Sequence, residues 1–270
     1  MIHVGTAGYG YHDWTPSFYP PGLVHEEYLS YYSERFECCE LNSTFYRWPA
    51  REELAGLLGR SGEKLVFTVK AHRRLTHQRE RGSSLARRFA SALSPLVEAE
   101  RLGVVLAQFP FSFVNNPAHR AYVCRLRSAL ELPLVAEFRN DNWFNEETLD
   151  FLRGWGIGFV CVDAPEQAGM PGPQAIATAD IGYIRFHGRN ATRWWRKDGA
   201  SRYDYKYRRR EILDWVPRIN EIDRQANRTF VIFNNHWRGQ AATNAQALQK
   251  IVGKKRVRRT ATRAVAVGAV

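Results

Sequence analysis

Eight short runs of apolar residues recur along the chain, each too short for a helix and bounded by charged or polar residues. Most of the runs are continuous rather than alternating, which is typical of parallel strands that other elements cover on both faces. The predicted strands are Ile2–Thr6, Phe36–Leu41, Leu65–Val69, Val104–Gln108, Leu134–Phe138, Gly158–Val162, Tyr183–Phe186 and Phe230–Phe233.

Between these strands, apolar residues recur at the three- and four-residue spacing of helices. The clearest stripes contain Leu85, Phe89 and Leu93, then Tyr122, Val123, Leu126 and Leu130, and finally Ile212, Trp215, Val216, Ile219 and Ile222. Asn145 stands before two glutamates, which is the pattern of an N-cap followed by acidic residues in the first turn. Pro95 and Pro217 lie inside helical patterns, so we expect a break or kink at each.

Eight strands alternating with helices over about 250 residues predict an α/β fold, a single (β/α)8 TIM barrel. The alternative is an open doubly wound sheet, which usually carries a glycine-rich phosphate loop after its first strand. Here Gly5, Gly8 and Gly10 occur in the order G-x-x-G-x-G, and no helical pattern follows at once. The barrel is therefore favoured. Two long loops rich in aromatic residues, 9–22 and 188–207, are candidates for function.

The charge of the chain is concentrated at its C-terminus. Its 270 residues carry a net charge of +12, and residues 254–270 contribute six basic side chains and no acidic one. We therefore divide the chain into a barrel domain, residues 1–252, and a basic, flexible tail, residues 253–270. Such a tail could contact nucleic acid or another polyanion.

Several features favour a cytoplasmic protein. No run of about 18 apolar residues is present, so no membrane partner is expected. The N-terminus enters a strand directly, without the pattern of a signal peptide. The cysteines, Cys38, Cys39, Cys124 and Cys161, form no C-x-x-C pair, and buried free thiols fit a reducing compartment.

The residues that follow the strands of a TIM barrel meet at one face, and here many of them are polar. Glu40, Glu137 and Asp163 are candidates for general acid and base catalysis, because carboxylates in unequal environments can hold different protonation states near neutral pH. The alternative for each is a structural salt bridge, for example between Glu137 and Arg139 or Arg185.

Cations and amides at the same strand ends favour an anionic substrate. Arg185 and His187 are two residues apart, so they share the inward face of their strand, and a guanidinium binds carboxylate or phosphate in a fork. The loop tryptophans could stack on a sugar or base, or could serve packing alone. The predicted substrate-binding residues are Asn42, Lys70, His77, Arg139, Trp143, Arg185, His187, Arg189, Asn234 and Asn235.

Metal binding has less support from the sequence. Only His72, His77, His187 and His236 lie near the predicted strand ends, and neither H-x-H nor H-E-x-x-H occurs. We therefore assign no metal ligand; the cofactor is unknown, and a divalent metal is left open.

Several of these segments together resemble the DUF72 family, the YecE-like proteins, from about residue 3 to residue 252. The matching stretches include Val4–Tyr9, Glu40–Tyr46, Phe67–Lys70, Leu106–Pro110, Glu137–Arg139, Arg185–Arg189 and Phe233–Asn235. The resemblance implies a TIM barrel but no established activity. Tyr9 stands where the family commonly has tryptophan, and the basic tail is expected to lie outside the family pattern.

The combined pattern predicts an enzyme that performs acid-base or hydrolytic chemistry, as a hydrolase, lyase or isomerase. Its substrate would be a small anion, such as a phosphorylated sugar or a nucleotide fragment. One alternative is a nucleic-acid-binding protein or an endonuclease-IV-like nuclease, for which the histidines are too few to hold three zinc ions. Another is a barrel without catalysis that serves as an interaction scaffold.

Overall fold

A closed barrel of eight parallel strands forms the centre of the computed structural model, which describes residues 1–80, 83–195 and 201–267, with side chains up to residue 253. The strands are β1 Ile2–Ala7, β2 Cys38–Leu41, β3 Val66–Lys70, β4 Leu102–Gln108, β5 Leu134–Glu137, β6 Gly158–Asp163, β7 Ile181–Phe186 and β8 Arg228–Phe233. Each strand pairs with the next, and β1 also pairs with β8. The TIM barrel and the positions of all eight strands are confirmed.

Helices surround the barrel. They are α1 Tyr28–Ser33, α2 Ser43–Tyr46, α3 Arg51–Arg60, α4 Arg73–Thr76, α5 Ser83–Ala92, α6 Ser94–Glu98, α7 Pro117–Leu130, α8 Glu146–Gly154, α9 Arg209–Gln225 and α10 Gln240–Val267. Short 3-10 helices lie at His12–Trp14, His25–Glu27, Asp141–Trp143, Ala191–Arg193, Ser201–Tyr203 and Trp237–Gly239. The connection from β6 to β7, residues 164–180, is described throughout and contains no helix.

The ends of the helices follow the sequence signals in most places. The side chain of Asn145 accepts a hydrogen bond from the Thr148 N–H at 2.9 Å, so the predicted N-cap of α8 is confirmed. Pro95 lies in the first turn of α6, just after α5 has ended, so the expected break is also confirmed. No break occurs at Pro217, because α9 continues through that residue with its apolar stripe buried, and a kink there stays a prediction.

The apolar residues form two cores, one between the barrel and its helices and one inside the barrel. The inner core consists of residues two apart on their strands: Ala7, Cys38, Val104, Leu106, Val135, Val160, Val162, Tyr183, Phe230 and Ile232. Because side chains alternate between the faces of a strand, this core shows which strand-end residues point inward. Glu40, Lys70, Glu137 and Arg185 are in phase with it, whereas Asp163 is out of phase.

The segment predicted as a flexible tail begins inside α10, whose backbone continues to Val267. Its side chains from residue 254 onward lie outside the described residues, so its mobility and its contact with nucleic acid stay predictions. Among the helices that the structure describes, none is both long and apolar enough to cross a membrane. The four cysteines are free, and Cys38, Cys39 and Cys161 are buried in the barrel strands.

Candidate functional site

Arg185 lies at the centre of a buried cluster at the C-terminal ends of β2, β5 and β7. Its Nη1 donates to Glu137 Oε2 at 2.6 Å, and its Nη2 donates to Glu40 Oε1 at 2.6 Å. The other Glu40 oxygen accepts from the Tyr183 hydroxyl at 2.9 Å, and that hydroxyl lies 2.7 Å from Thr68 Oγ1. One guanidinium therefore joins two carboxylates that have no exposed surface. Ion pairs removed from water in this way fix each other's geometry.

The second oxygen of Glu137 lies against two more groups. Arg139 Nε is 2.6 Å from Glu137 Oε1, and His187 Nε2 is 3.1 Å from the same atom. On its far side, His187 Nδ1 is 3.0 Å from the amide nitrogen of Asn234. Because an amide nitrogen can only donate, His187 accepts at Nδ1 and donates from Nε2 to Glu137. This relay fixes one neutral tautomer of the imidazole.

Charge and burial set the protonation states within this cluster. Burial, followed by the nearby Arg139, lowers the pKa of His187 to about 3, so the ring stays neutral at neutral pH. For Glu137, burial acts to raise the pKa, but Arg139, Arg185 and His187 outweigh it and hold the pKa well below its usual range. Glu137 is therefore an ionised carboxylate that can accept a proton but has none to donate.

Lys70 ends β3 on the inward side and differs from the other cations of the site. Burial is the largest cause that lowers its pKa to about 7, and Arg185 adds to the effect. The Phe45 ring lies 4.2 Å from Nζ, an arrangement that favours the ammonium form of a desolvated lysine by about 2 kcal/mol. That contribution is too small to cancel the effect of burial. Lys70 thus changes charge close to neutral pH.

Aromatic side chains border the cluster. The His77 ring lies 4.8 Å from the Phe45 ring, and burial, followed by Lys70 and Arg139, lowers the pKa of His77 to about 4. Trp194, which is almost fully buried, lies 5.4 Å from the guanidinium carbon of Arg139 and 6.1 Å from the His187 ring. The loop after β7 therefore packs an aromatic side chain against the cluster.

Asp163 belongs to a second network outside the barrel. Val160 and Val162 occupy the inner core, so Asp163 points outward to the helices. Its carboxylate accepts hydrogen bonds from Arg189 Nη2 and the Tyr207 hydroxyl, both at 2.6 Å, and from the Trp215 indole. These contacts tie β6 to α9 and to the loop after β7. The structure thus does not bring Asp163 and Arg189 together with Glu40 and Glu137.

Three other predicted site residues have structural contacts of their own. Trp143 has no exposed surface, stacks on Phe138 at 4.1 Å and donates its indole N–H to the Phe113 carbonyl at 2.6 Å. Asn235 donates to the Tyr205 carbonyl at 2.8 Å, which anchors the loop after β7. Asn42 follows β2, and its buried Oδ1 has no hydrogen-bond partner among the described residues. Asn235 Oδ1 is likewise buried without a hydrogen-bond partner among the described residues, so both asparagines retain a free acceptor.

The predicted site residues omit four residues of the cluster or its border: Thr68, Tyr183, Phe45 and Trp194, the last of which the sequence placed only among the loop tryptophans that could stack on a ligand. Tyr183 could have been found, because it precedes Arg185 by two residues and so shares its inward face. Phe45 and Trp194 lie in segments between strands, where no periodic pattern fixes the direction of a side chain. Within the residues that the structure describes, no group of three or more His, Cys, Asp or Glu side chains could hold a metal ion.

These observations define a (β/α)8 barrel protein with a buried carboxylate–arginine cluster at the C-terminal face. The chain matches the family described as "Protein of unknown function DUF72" over residues 3–266, and it belongs to that family. The match includes most of the segment from residue 253 onward, so the expectation that the basic tail lies outside the family pattern is wrong.

Similar proteins cover nearly the whole chain. The UPF0759 protein YunF of Bacillus subtilis is 33% identical over 273 residues, which span 93% of this chain and 95% of that protein. A DUF72 family protein from Thermotoga maritima has a crystal structure that matches with a TM-score of 0.88 and 37% identity, over 94% of this chain and 99% of the other. A DUF72 family protein from Enterococcus faecalis matches with a TM-score of 0.83 and 26% identity, over 94% and 96% of the two chains.

Proposed function

We propose that this protein is an enzyme that performs acid-base chemistry on a small anionic substrate at the C-terminal face of the barrel. The observation that carries the proposal is the balance of charge in the buried cluster. Glu40 and Glu137 supply two negative charges, and Arg185 and Arg139 supply two positive ones. Lys70 adds a further cation with no carboxylate paired to it among the described residues. The positive charge of Lys70 therefore has no negative partner in the cluster, and a bound anion would neutralise it.

The assignment of proton transfer follows from the protonation states. A group that exchanges protons in catalysis works best when its pKa lies near the working pH. Lys70, with a pKa of about 7, meets this condition, whereas Glu137 is held as a carboxylate and His187 as a neutral ring. We therefore assign proton transfer to Lys70. Glu40 and Glu137 hold Arg185 in place.

Asp163 is the weaker candidate for proton transfer. Its oxygens already accept hydrogen bonds from Arg189, Tyr207 and Trp215, and it points away from the inner cluster. We assign it a structural role, in which it positions the loop after β7 over the site.

Two buried polar atoms without hydrogen-bond partners among the described residues could contact the part of a substrate outside its anionic group. Asn42 Oδ1 is an acceptor and Arg185 Nε is a donor, and neither has a hydrogen-bond partner in the described part of the chain. A buried polar atom without a partner costs about 1–3 kcal/mol, and a ligand hydroxyl or carboxylate could recover that free energy. A small polyol that carries an anionic group would use both kinds of contact.

The test is direct binding of small anions to the purified protein at low ionic strength. Sulfate, inorganic phosphate and a panel of sugar phosphates and sugar acids are titrated by calorimetry, with thermal unfolding as a second readout. We expect at least one anion to bind the wild type and to lose at least tenfold in affinity with Lys70→Met. Lys64→Met is the matched control, because Lys64 is exposed just before the opposite end of the same strand. Absence of binding by every anion, or equal loss in both variants, would overturn the proposal.

A further inference from the structure

We infer that Lys70 is a nucleophile that forms an imine with its substrate, so that the substrate is a small anion that also carries an aldehyde or ketone. This inference rests on the proposed anion site and deepens it. Anion binding alone would require only the positive charge of Lys70. The position and surroundings of the Lys70 amine indicate a second role.

The Lys70 amine is left free by its neighbours. Its Nζ makes no hydrogen bond and no ion pair with any residue in the described ranges. Lys70 is the last residue of β3 and is half-buried, whereas the two carboxylates of the cluster are fully buried. The Phe45 ring covers one side of the amine at 4.2 Å, and the Lys70 carbonyl accepts from Thr44 Oγ1 at 2.6 Å, which holds the backbone of the strand end. A structural lysine would instead lie against one of the two buried carboxylates.

Besides burial, titratable groups on several elements lie near the Lys70 amine and influence its protonation. They are Arg185 on β7, Arg139 and Glu137 at the end of β5, Glu40 on β2 and His77 after α4. The carboxylates are already bonded to arginine, so their effect on Lys70 is reduced. A lysine that is desolvated and lies next to other cations is activated as a nucleophile, because a large fraction of it is neutral amine at neutral pH.

The covalent step is balanced without any additional reactant. The neutral amine attacks the carbonyl carbon and forms a C–N bond. The carbonyl oxygen leaves as water together with the two amine protons, and a C=N bond remains. No oxidation occurs. Once protonated, this imine withdraws electrons from a neighbouring C–H or C–C bond, which is the chemistry that isomerases, lyases and aldol-type enzymes require.

Arg139 would place the substrate for this step. Its Nε lies 2.6 Å from Glu137 Oε1 and its side chain keeps 12% of its surface exposed, so its two Nη atoms can donate to a phosphate or carboxylate, whereas both Nη atoms of Arg185 already donate to Glu137 and Glu40. An anion held there would keep an attached carbonyl group within reach of Lys70. A substrate that carries both an anionic group and a carbonyl group is therefore bound in preference to a neutral aldehyde.

Pyridoxal 5′-phosphate is a suitable probe, since it combines an aldehyde with a phosphate. The full-length protein is incubated with an equimolar amount at neutral pH and reduced with borohydride, which adds hydride to the imine carbon and leaves a stable secondary amine. Peptide mass spectrometry then locates the label. The chain has only seven lysines, so each site can be quantified separately.

We expect Lys70 to be labelled at least tenfold more than Lys64, and pyridoxal without phosphate to label Lys70 far less. Excess sulfate should protect Lys70. Lys70→Met should lose the label at that site while retaining the circular dichroism spectrum of the wild type, and Lys64→Met should keep the Lys70 label.

The outcomes separate this inference from the proposed function. If sulfate or a sugar phosphate binds but Lys70 reacts no faster than Lys64, the imine inference is overturned and the anion site stands. If Lys70 is labelled selectively by both aldehydes and sulfate gives no protection, the nucleophile stands and the anion site falls. If neither binding nor selective labelling occurs, both are wrong.

Discussion

Arg185 Nη1 lies 2.6 Å from Glu137 Oε2 in the barrel, and both side chains are almost completely buried. Removing one partner of a buried ion pair leaves the other charge without compensation. Arg185→Met leaves both Glu137 and Glu40 in this state. We therefore expect this substitution to lower the free energy of unfolding by about 3–5 kcal/mol, measured by urea denaturation at neutral pH.

Arg153→Met provides the matched control for that measurement. Arg153 pairs with Asp150 on the exposed surface of α8 at 2.7 Å, and such pairs contribute less than about 1 kcal/mol. A loss with Arg185→Met no larger than the loss with Arg153→Met would show that the two buried carboxylates find other partners or become protonated.

The pH dependence of stability should contain a contribution from His187. Its pKa in the folded protein is about 3, below the usual 6.5, so the unfolded chain binds the proton more readily. The stability that this histidine contributes is complete above about pH 6.5 and is lost as the pH falls toward about 3. His187→Gln should therefore reduce the decline in unfolding free energy between about pH 6.5 and 5, by up to about 1.4 kcal/mol per pH unit.

The slope, rather than the absolute stability, is the informative quantity for His187. Burial also lowers the pKa values of His72, His77 and His236, so these residues contribute to the same decline and remain in the variant. His12→Gln, at an exposed residue that begins a 3-10 helix, is the control for the substitution itself. If wild type and His187→Gln lose stability in parallel on acidification, His187 is not buried in the neutral form.

The strands could be predicted from the sequence because a barrel strand is buried on both faces and reads as an apolar run. The same property hides the direction of each side chain. Val162 and Asp163 end β6 next to each other, yet one faces the inner core and the other faces α9. On β7 the alternation is visible, since Tyr183 and Arg185 are polar and two residues apart. The inward direction was therefore predictable for β7 and not for β6.

The contacts of side chains in the loops could not be predicted, for a different reason. Trp143 and Trp194 both follow strands and look alike in the sequence. Trp143 donates its N–H to the Phe113 carbonyl within a stack of aromatic rings, whereas Trp194 lies against Arg139. These contacts join segments that are distant along the chain and depend on how the loops fold back on the barrel. No local pattern contains that information.

Asp163→Asn separates the structural role of Asp163 from a role in the site. The amide cannot accept from Arg189, Tyr207 and Trp215 together, so we expect a lower melting temperature. Anion binding should change less than threefold, because the inner cluster does not include this side chain. Loss of anion binding at unchanged stability would instead place Asp163 among the catalytic residues, as its position at the end of β6 first suggested.

The pH dependence of anion affinity tests the charge on Lys70. With a pKa of about 7 in the free protein, Lys70 must take up a proton to pair with an anion above neutral pH. Sulfate keeps its own charge across this range, so any pH dependence of its binding belongs to the protein. We expect the affinity for sulfate to fall as the pH rises through about 7, approaching tenfold per pH unit.

Replacing Lys70 with arginine tests whether the pH dependence of sulfate affinity arises from Lys70. Lys70→Arg keeps the positive charge at all accessible pH values, so sulfate should bind with little change between about pH 6 and pH 8. Lys64→Arg makes the same replacement on the exposed surface and should retain the steep dependence of the wild type. If the slope persists in Lys70→Arg, another group takes up the proton and the amine of Lys70 is charged throughout. If the wild type itself shows no slope, Lys70 either lies outside the anion site or does not titrate near neutral pH.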